Sequence, residues 1–395
     1  MEEATKKRQA VLATHSGKFH CDEVLGMAML RLLPRYQHAK IVRSRNPSEL
    51  QEADVVIDVG AVFDPEALRS VGGREQGREG ERGQNDRKRY KEERGQQKRR
   101  DTKTRKERVN EEDEAKMDAS PPFTRYLSFT LQFDHHQREF TEVFGHGGFE
   151  KTKLSSAGLV YKFFGKEILK THFGVSDDET VELLFLRVYE NLMESVDAID
   201  NGVQICEGAP KYKIRTDLAS RVDRLNPAWN EEGKCEMKAF EEAMVIAREE
   251  FEAHVNGLIT RWLPAREIVE RAVADRKSIH PSGRAILLET SCPFKEHLYE
   301  IEKATGLNNT ESEILYAVYA DRGATESWRV HAVSDPDDGF KSRKFLPARL
   351  RGLRDEALSE AAGIPDMIFI HASGFIGGAK TKESALRLVE IALAE

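Results

Sequence analysis

Asp54-Val55-Val56-Ile57-Asp58-Val59-Gly60 constrains the fold of this chain more than any other stretch. A continuous β-branched run ended by glycine fits a strand buried on both faces. Such strands belong to parallel sheets with helices on either side. The neighbouring segments agree. Val11-Leu12-Ala13-Thr14-His15 is a short apolar run that ends in polar groups. Val24 to Leu30 has helical spacing and stops before Pro34, and Ile41-Val42-Arg43 is another short candidate strand. Strands alternating with helices predict an α/β fold with a parallel N-terminal sheet. Ligands of such sheets gather at the carboxyl ends of the strands, where His15 and Asp58 stand.

The composition changes abruptly between Gly72 and Pro121. This stretch holds 16 Lys/Arg and 13 Asp/Glu, and no Leu, Ile, Phe or Trp. It cannot bury enough apolar surface to offset its ordering entropy, so disorder is expected over 72–121. Mixed-sign charge runs are usually solvated, which reads as a tolerated insertion or translated non-coding sequence; Lys98-Arg99-Arg100 leaves a basic binding or localisation arm as the alternative. Order resumes with the strand Phe129–Phe133, followed by helices at Leu154–Phe164 and Val181–Ile199. A long amphipathic helix is expected over Met237–Leu263. Strands are expected at Arg284–Glu289, Leu315–Tyr319, Trp328–Val333 and Met367–His371, and a closing helix at Ser384–Ala394. The predicted organisation is a metal-binding domain over 1–225 (69–131 mostly insertion), a linking helix region over 226–276, and a C-terminal α/β substrate-binding domain over 277–395.

Several classes are disfavoured. A net charge of -7 argues against a general basic coat for nucleic acid, though not against one basic groove. No apolar run approaches the ~20 residues of a membrane helix. Met1-Glu2-Glu3-Ala4 has acids and no apolar core, so no secretory signal is expected, and Val11 begins a strand too early for a transit peptide. The four cysteines, Cys21, Cys206, Cys235 and Cys292, form no CxxC pair and read as free thiols. Cys21 reads as a packed small side chain rather than a nucleophile. No phosphate-binding P-loop or dinucleotide fingerprint occurs.

Four acid/histidine clusters carry the candidate chemistry. They are His15-Ser16-Gly17-Lys18-Phe19-His20-Cys21-Asp22-Glu23 in a loop between strand and helix, Asp58, Asp134-His135-His136 after a strand, and Asp197-Ala198-Ile199-Asp200-Asn201-Gly202 at a helix end. Each alone is weak evidence, since most polar loop residues simply form hydrogen bonds. Together, in a context of alternating strands and helices, they have the makings of a site for two divalent cations. Mixed imidazole and carboxylate donors suit Mn²⁺, Fe²⁺ or Zn²⁺ better than an all-oxygen set would. Two ions ~4 Å apart support hydrolysis at phosphorus, and one carboxylate must bridge them.

These motifs, in this order, resemble the DHH phosphoesterase superfamily, and within it closely resemble the melanocyte-proliferating-gene family, described as 3′-to-5′ RNA exonucleases. The resemblance rests on the segments Thr14–Glu23, Val56–Gly60, Asp134–Phe140, Glu194–Gly202 and His371–Gly378. It implies that His15, His20 and Asp58 hold one metal, and that Asp22, Asp58, His135 and Asp200 hold the other. His20 stands where many DHH relatives carry Asp. His136 would contact phosphate and Asp134 would orient the site, so Asp58, Asp134 and His136 form the implied catalytic set. Asp200 is preferred to Asp197, for which a surface helix position is the alternative. Ser342-Arg343-Lys344 resembles a phosphate-gripping segment of manganese-dependent pyrophosphatases, with an exposed basic turn as the plain reading. His371, Gly374, Gly377, Gly378 and Lys380 resemble the glycine-rich nucleic-acid signature of the DHH-associated domain, or else a loop before a helix. The expected activity is hydrolysis of single-stranded RNA, with DNA as an alternative substrate and Mn²⁺ or Mg²⁺ as cofactor. The resemblance implies an intracellular location in the nucleus, the mitochondrion or both, with the cytoplasm as the alternative. Beside it stand a small-substrate phosphohydrolase acting on pyrophosphate, oligonucleotides or cyclic dinucleotides, a non-catalytic metal-binding or interaction protein, and a domain whose acids and histidines only stabilise structure. That last reading requires that the four clusters stay apart.

Overall fold

The computed structural model describes residues 8–63, 130–321, 327–336 and 338–395. The disorder expected over 72–121 concerns residues outside this set. The chain divides into two compact units, Met1–Glu252 and Ala253–Glu395.

The first unit is built on β1 (Val11–Thr14), α1 (Cys21–Leu30), β2 (Lys40–Arg43), α2 (Pro47–Leu50), β3 (Val55–Ile57) and β4 (Leu131–Phe133). The strands lie in the order β2-β1-β3-β4, all parallel. The chain leaves β1 for β2 on one side and returns to β3 on the other. The carboxyl ends of β1 and β3 therefore flank a topological switch point, where parallel sheets open a crevice.

All ten residues of α1 are buried, which explains its apolar character right round the helix. It starts at Cys21, a turn earlier than the apolar spacing predicts, so Asp22 and Glu23 sit on its first turn rather than in the preceding loop. The cause is local: the His20 backbone N–H donates to Glu23 Oε1 at 2.8 Å, and acids are favoured at a helix N-terminus.

α3 (Ser156–Thr171) packs on α1. The helix predicted over Val181–Ile199 is α4 (Asp178–Val188), a π-helical turn at Tyr189–Met193, and α5 (Glu194–Asp200). α5 docks on α3 where α3 has no side chain. A Cβ at Gly158 would lie 2.2 Å from Asp197 Oδ1. Asp197 accepts the Ser155 N–H at 2.9 Å, the Ser155 hydroxyl at 2.7 Å and the Tyr189 hydroxyl at 3.0 Å. The surface alternative for Asp197 is thus corrected: the residue is fully buried, and it pins two helices together. α6 (Leu218–Asp223) and α7 (Glu236–Gly257) follow.

In the second unit a π-helical turn at Leu258–Trp262 leads into α8 (Leu263–Ala274) and α9 (Arg276–Ile279). Then come β5 (Ala285–Leu287), α10 (Lys295–Thr305), β6 (Tyr316–Ala320), β7 (Trp328–Ala332), α11 (Asp355–Ala362), β8 (Met367–Ile370), β9 (Ile376–Ala379) and α12 (Lys382–Ala394). The sheet order is β5-β6-β7-β9-β8, with β5 and β6 parallel and the other pairs antiparallel. Tyr316, Val318, Val330 and Ile370 belong to one core, which includes Leu388 and Val389 of α12. Ala317 and Ile286 belong to another, with Val269 of α8 and Leu298 of α10. Both units are α/β.

β9 escapes the sequence reading because glycines weaken a strand signal. Packing requires them here. A Cβ at Gly378 would approach Arg329 to 2.7 Å and Phe369 to 2.8 Å.

Candidate metal centre

Three strands of the first sheet deliver the chemistry at their carboxyl ends. His15 follows β1 and is 3% exposed. Its Nε2 lies 3.0 Å from Glu23 Oε1 and 3.4 Å from Asp58 Oδ2. Asp58 follows β3 in the left-handed region, φ 54°, which is uncommon outside glycine and turns the carboxylate out of the strand. Its Oδ1 also accepts the Ser156 hydroxyl at 3.2 Å. Asp134-His135-His136 follows β4. His135 Nε2 lies 3.0 Å from Asp200 Oδ2 and 3.6 Å from Asp58 Oδ1. His136 Nδ1 lies 3.1 Å from Asp58 Oδ1 and 3.0 Å from Asp134 Oδ1.

Donor atoms gather into three linked groups, each within 4.8 Å: His15, His20, Glu23 and Asp58; Asp58, His135 and His136; Asp22, His135 and Asp200. Asp58 belongs to the first two groups and His135 to the last two. All six residues named from the sequence as metal ligands therefore lie in one neighbourhood, and the four clusters meet. Glu23 is the donor the sequence reading passed over. Its signal was its place three residues after His20, where the first turn of α1 brings it back over the strand end.

Asp134 is 1% exposed and serves differently. Its Oδ1 accepts the His136 backbone N–H at 3.0 Å, and its Oδ2 accepts the Ala61 N–H at 2.5 Å. It thereby ties the turn after β3 to the turn after β4 and orients His136, whose ring remains largely exposed.

The electrostatics fit a cation. Both carboxylate oxygens of Asp22 are buried without a hydrogen-bond partner, as is Glu23 Oε2. Such orphans are costly and rare. Burial, with Asp58, Glu23 and Asp200 adding repulsion, pushes the Asp22 carboxyl well above its usual range. Burial alone would lower the His15 imidazole, but its hydrogen bonds to the Asp58 and Glu23 carboxylates, which accept from the ring, outweigh it and raise it to about 10. His135 is raised too, with Asp200 overcoming its burial. Protons thus do what a divalent ion does better: hold these acids together. The imidazole-carboxylate donor set suits a first-row transition ion.

A cavity of about 1300 Å³ opens over the cluster. His15, His20, Asp58, Asp134, His136 and Asp200 line it, together with the segment between α5 and α6.

The candidates of the second unit are arranged otherwise. Arg343 is consumed internally: its guanidinium donates to both oxygens of Glu302 at 3.0 and 2.8 Å and to the Ile314 carbonyl at 2.8 Å. Lys344 beside it is half-buried. His371 and Lys380 are exposed, and His371 Nδ1 lies 2.8 Å from Ser373 Oγ. Gly374 adopts φ 81°, and a Cβ there would strike Arg351. Gly377 and Gly378 are within β9, not in a loop before a helix.

Comparison with known proteins matches these features to a family. The family model MYG1_exonuc, described as "Uncharacterised protein family (UPF0160)", matches residues 11–69 and 100–393. The MYG1 exonuclease of Homo sapiens is 39% identical over 390 residues, covering 97% of this chain and 86% of the relative. The MYG1 exonuclease of Mus musculus is 38% identical over 390 residues, covering 97% and 85%. The MYG1 protein of Dictyostelium discoideum is 35% identical over 379 residues, covering 95% and 94%. No solved structure matches the chain. Similarity at this level, running through both units, makes the chain a member of the MYG1 family.

Proposed function

We propose that the chain is a metal-dependent phosphodiesterase of nuclease type that removes nucleotides from the 3′ end of single-stranded RNA. One observation carries the reading: His15, His20, Asp22, Glu23, Asp58, His135 and Asp200 form linked donor groups around buried acids that lack partners. The relatives called exonucleases in human and mouse support it.

Two divalent ions, when bound, would supply Lewis acidity at the phosphate and a more acidic water. The chain's own residues supply the rest. Asp58, between His15 and His135, is placed to bridge the two halves of the centre. Asp134 fixes Nδ1 of His136, which leaves Nε2 to meet a phosphate oxygen or the leaving oxygen. Lys344, His371 and Lys380 are the second unit's candidates for the strand's phosphates, whereas Gly374, Gly377 and Gly378 serve packing against Arg351, Leu346 and Arg329. Arg343 positions Lys344 by anchoring the segment on Glu302.

The test is purified protein with end-labelled RNA and DNA strands, pyrophosphate and cyclic dinucleotides, each with Mn²⁺, Mg²⁺ or chelator. Shortening of RNA from its 3′ end, lost with chelator and in Asp58→Ala, is the expected result. Turnover of small phosphates alone would replace the substrate assignment. Stoichiometric metal without turnover would leave a binding protein.

A further inference from the structure

The metal centre accounts for the reacting phosphate but not for the bases of a strand. Ten large hydrophobic side chains are exposed among the described residues, and five of them fall within 199–214: Ile199, Val203, Ile205, Tyr212 and Ile214. Scattered exposed hydrophobics need no explanation, whereas a patch gathered at a cleft marks a ligand groove. Four of the five, all but Val203, line the cavity over the metal centre. Tyr212 is 75% exposed there.

The charges around this patch favour an anionic partner. Arg45, Lys213 and Arg215 line the same cavity, and no ion pair holds any of them among the described residues. Asp58, Asp134 and Asp200 of the same cavity belong to the metal centre, and the two acids beside the patch are already engaged. Asp217 caps α6, accepting the Ser220 N–H at 2.8 Å and the Ser220 hydroxyl at 2.7 Å. Asp223 pairs with Lys18 at 2.8 Å. An aromatic face beside free cations is what single-stranded nucleic acids use: bases stack, and phosphates meet the charges.

We propose that Tyr212, with Lys213 and Arg215, forms a subsite in which one base of a single strand stacks on the Tyr212 ring while an adjoining phosphate meets the two cations. The proposal rests on the nuclease reading and adds the residue that grips the strand beside the centre.

Steady-state cleavage of a short end-labelled RNA by the full chain tests it. Tyr212→Ala should raise KM about tenfold with little change in kcat, the size expected for loss of one base stack, and Tyr212→Phe should restore it. An RNA abasic at the contacted position should cost the wild type a similar factor and cost Tyr212→Ala nothing more. Replacing Lys213 and Arg215 together by Ala should make the log–log salt dependence of strand binding shallower by about 1.4. A KM in Tyr212→Ala equal to wild type overturns the subsite while cleavage itself stands. Self-association lost in Tyr212→Ala with KM unchanged assigns the patch to a second copy and overturns it equally. Wild-type protein inactive on every strand removes the nuclease reading, and the subsite with it.

Discussion

Each unit buries an acid, and the two acids live in opposite surroundings. Glu302, on α10 of the second unit, is fully buried and fully served: both terminal guanidinium nitrogens of Arg343 donate to it, and the Ile314 N–H donates at 2.9 Å. Asp22, on α1 of the first unit, is as deeply buried but has no donor on either oxygen and faces three other carboxylates. A buried charge whose counter-charge is on the same chain is scaffold. A knot in which Asp22, Glu23, Asp58 and Asp200 face only the two raised imidazoles of His15 and His135 suits a cation, and perturbed proton affinities of this kind gather at functional sites. The same contrast explains why a basic segment that looks phosphate-binding in the sequence can be occupied internally. Arg343 is already holding a carboxylate.

The strongest challenge to this contrast is at Asp58. Asp58→Ala removes the donor common to two groups and should lower metal-dependent cleavage by about a thousandfold or more, while the folded protein melts near the wild-type temperature. Activity within tenfold of wild type would remove Asp58 from the centre. Arg343→Ala should do the converse. Leaving Glu302 buried without its partner should cost about 3–5 kcal/mol of stability in urea titrations, and a much smaller loss would deny the pair its scaffold role.

pH acts on the centre through Asp22 and His15. Asp22 keeps its proton in the metal-free fold above the pH where the unfolded chain loses it, so stability falls as pH rises above about 4. His15 is protonated in the fold up to about 10 but only to about 6.5 when unfolded, so its contribution, complete below 6.5, is lost as pH climbs toward 10. Both slopes point the same way. Metal must displace these protons, so the rise in melting temperature given by saturating Mn²⁺ should grow between pH 6 and 8.5. A constant or shrinking increment would show that the ion binds elsewhere. The smallest effect is expected at Tyr189→Phe, which removes one of three donors to Asp197 and should cost about 1 kcal/mol by denaturant melts.

Legibility differed between elements for physical reasons. β3 and β1 were readable because continuous apolar runs ended by Gly60 or His15 have few other uses. The site motifs were readable as far as residue type and strand-end position went. The start of α1 was not, since His20 and Glu23 look like loop polars until a backbone N–H meets a carboxylate. β9 was hidden by glycines that only close packing against Arg329 and Phe369 explains. A surface position stayed open for Asp197 because helical spacing cannot announce that Gly158 on another helix has left room for it.

Local pattern in the chain was enough to establish a parallel α/β sheet, the strand ends that carry His15, Asp58 and Asp134, and the donor types suited to a divalent ion. These depend on periodicity and chemistry over a few residues. Three-dimensional packing chose which of those groups face one another: Asp22 without a donor, Glu23 added to the centre, Asp197 pinned between helices, and Arg343 spent on Glu302. The reason is that pairing across tens or hundreds of residues follows from how helices seat on sheets, and no short stretch of sequence contains that information.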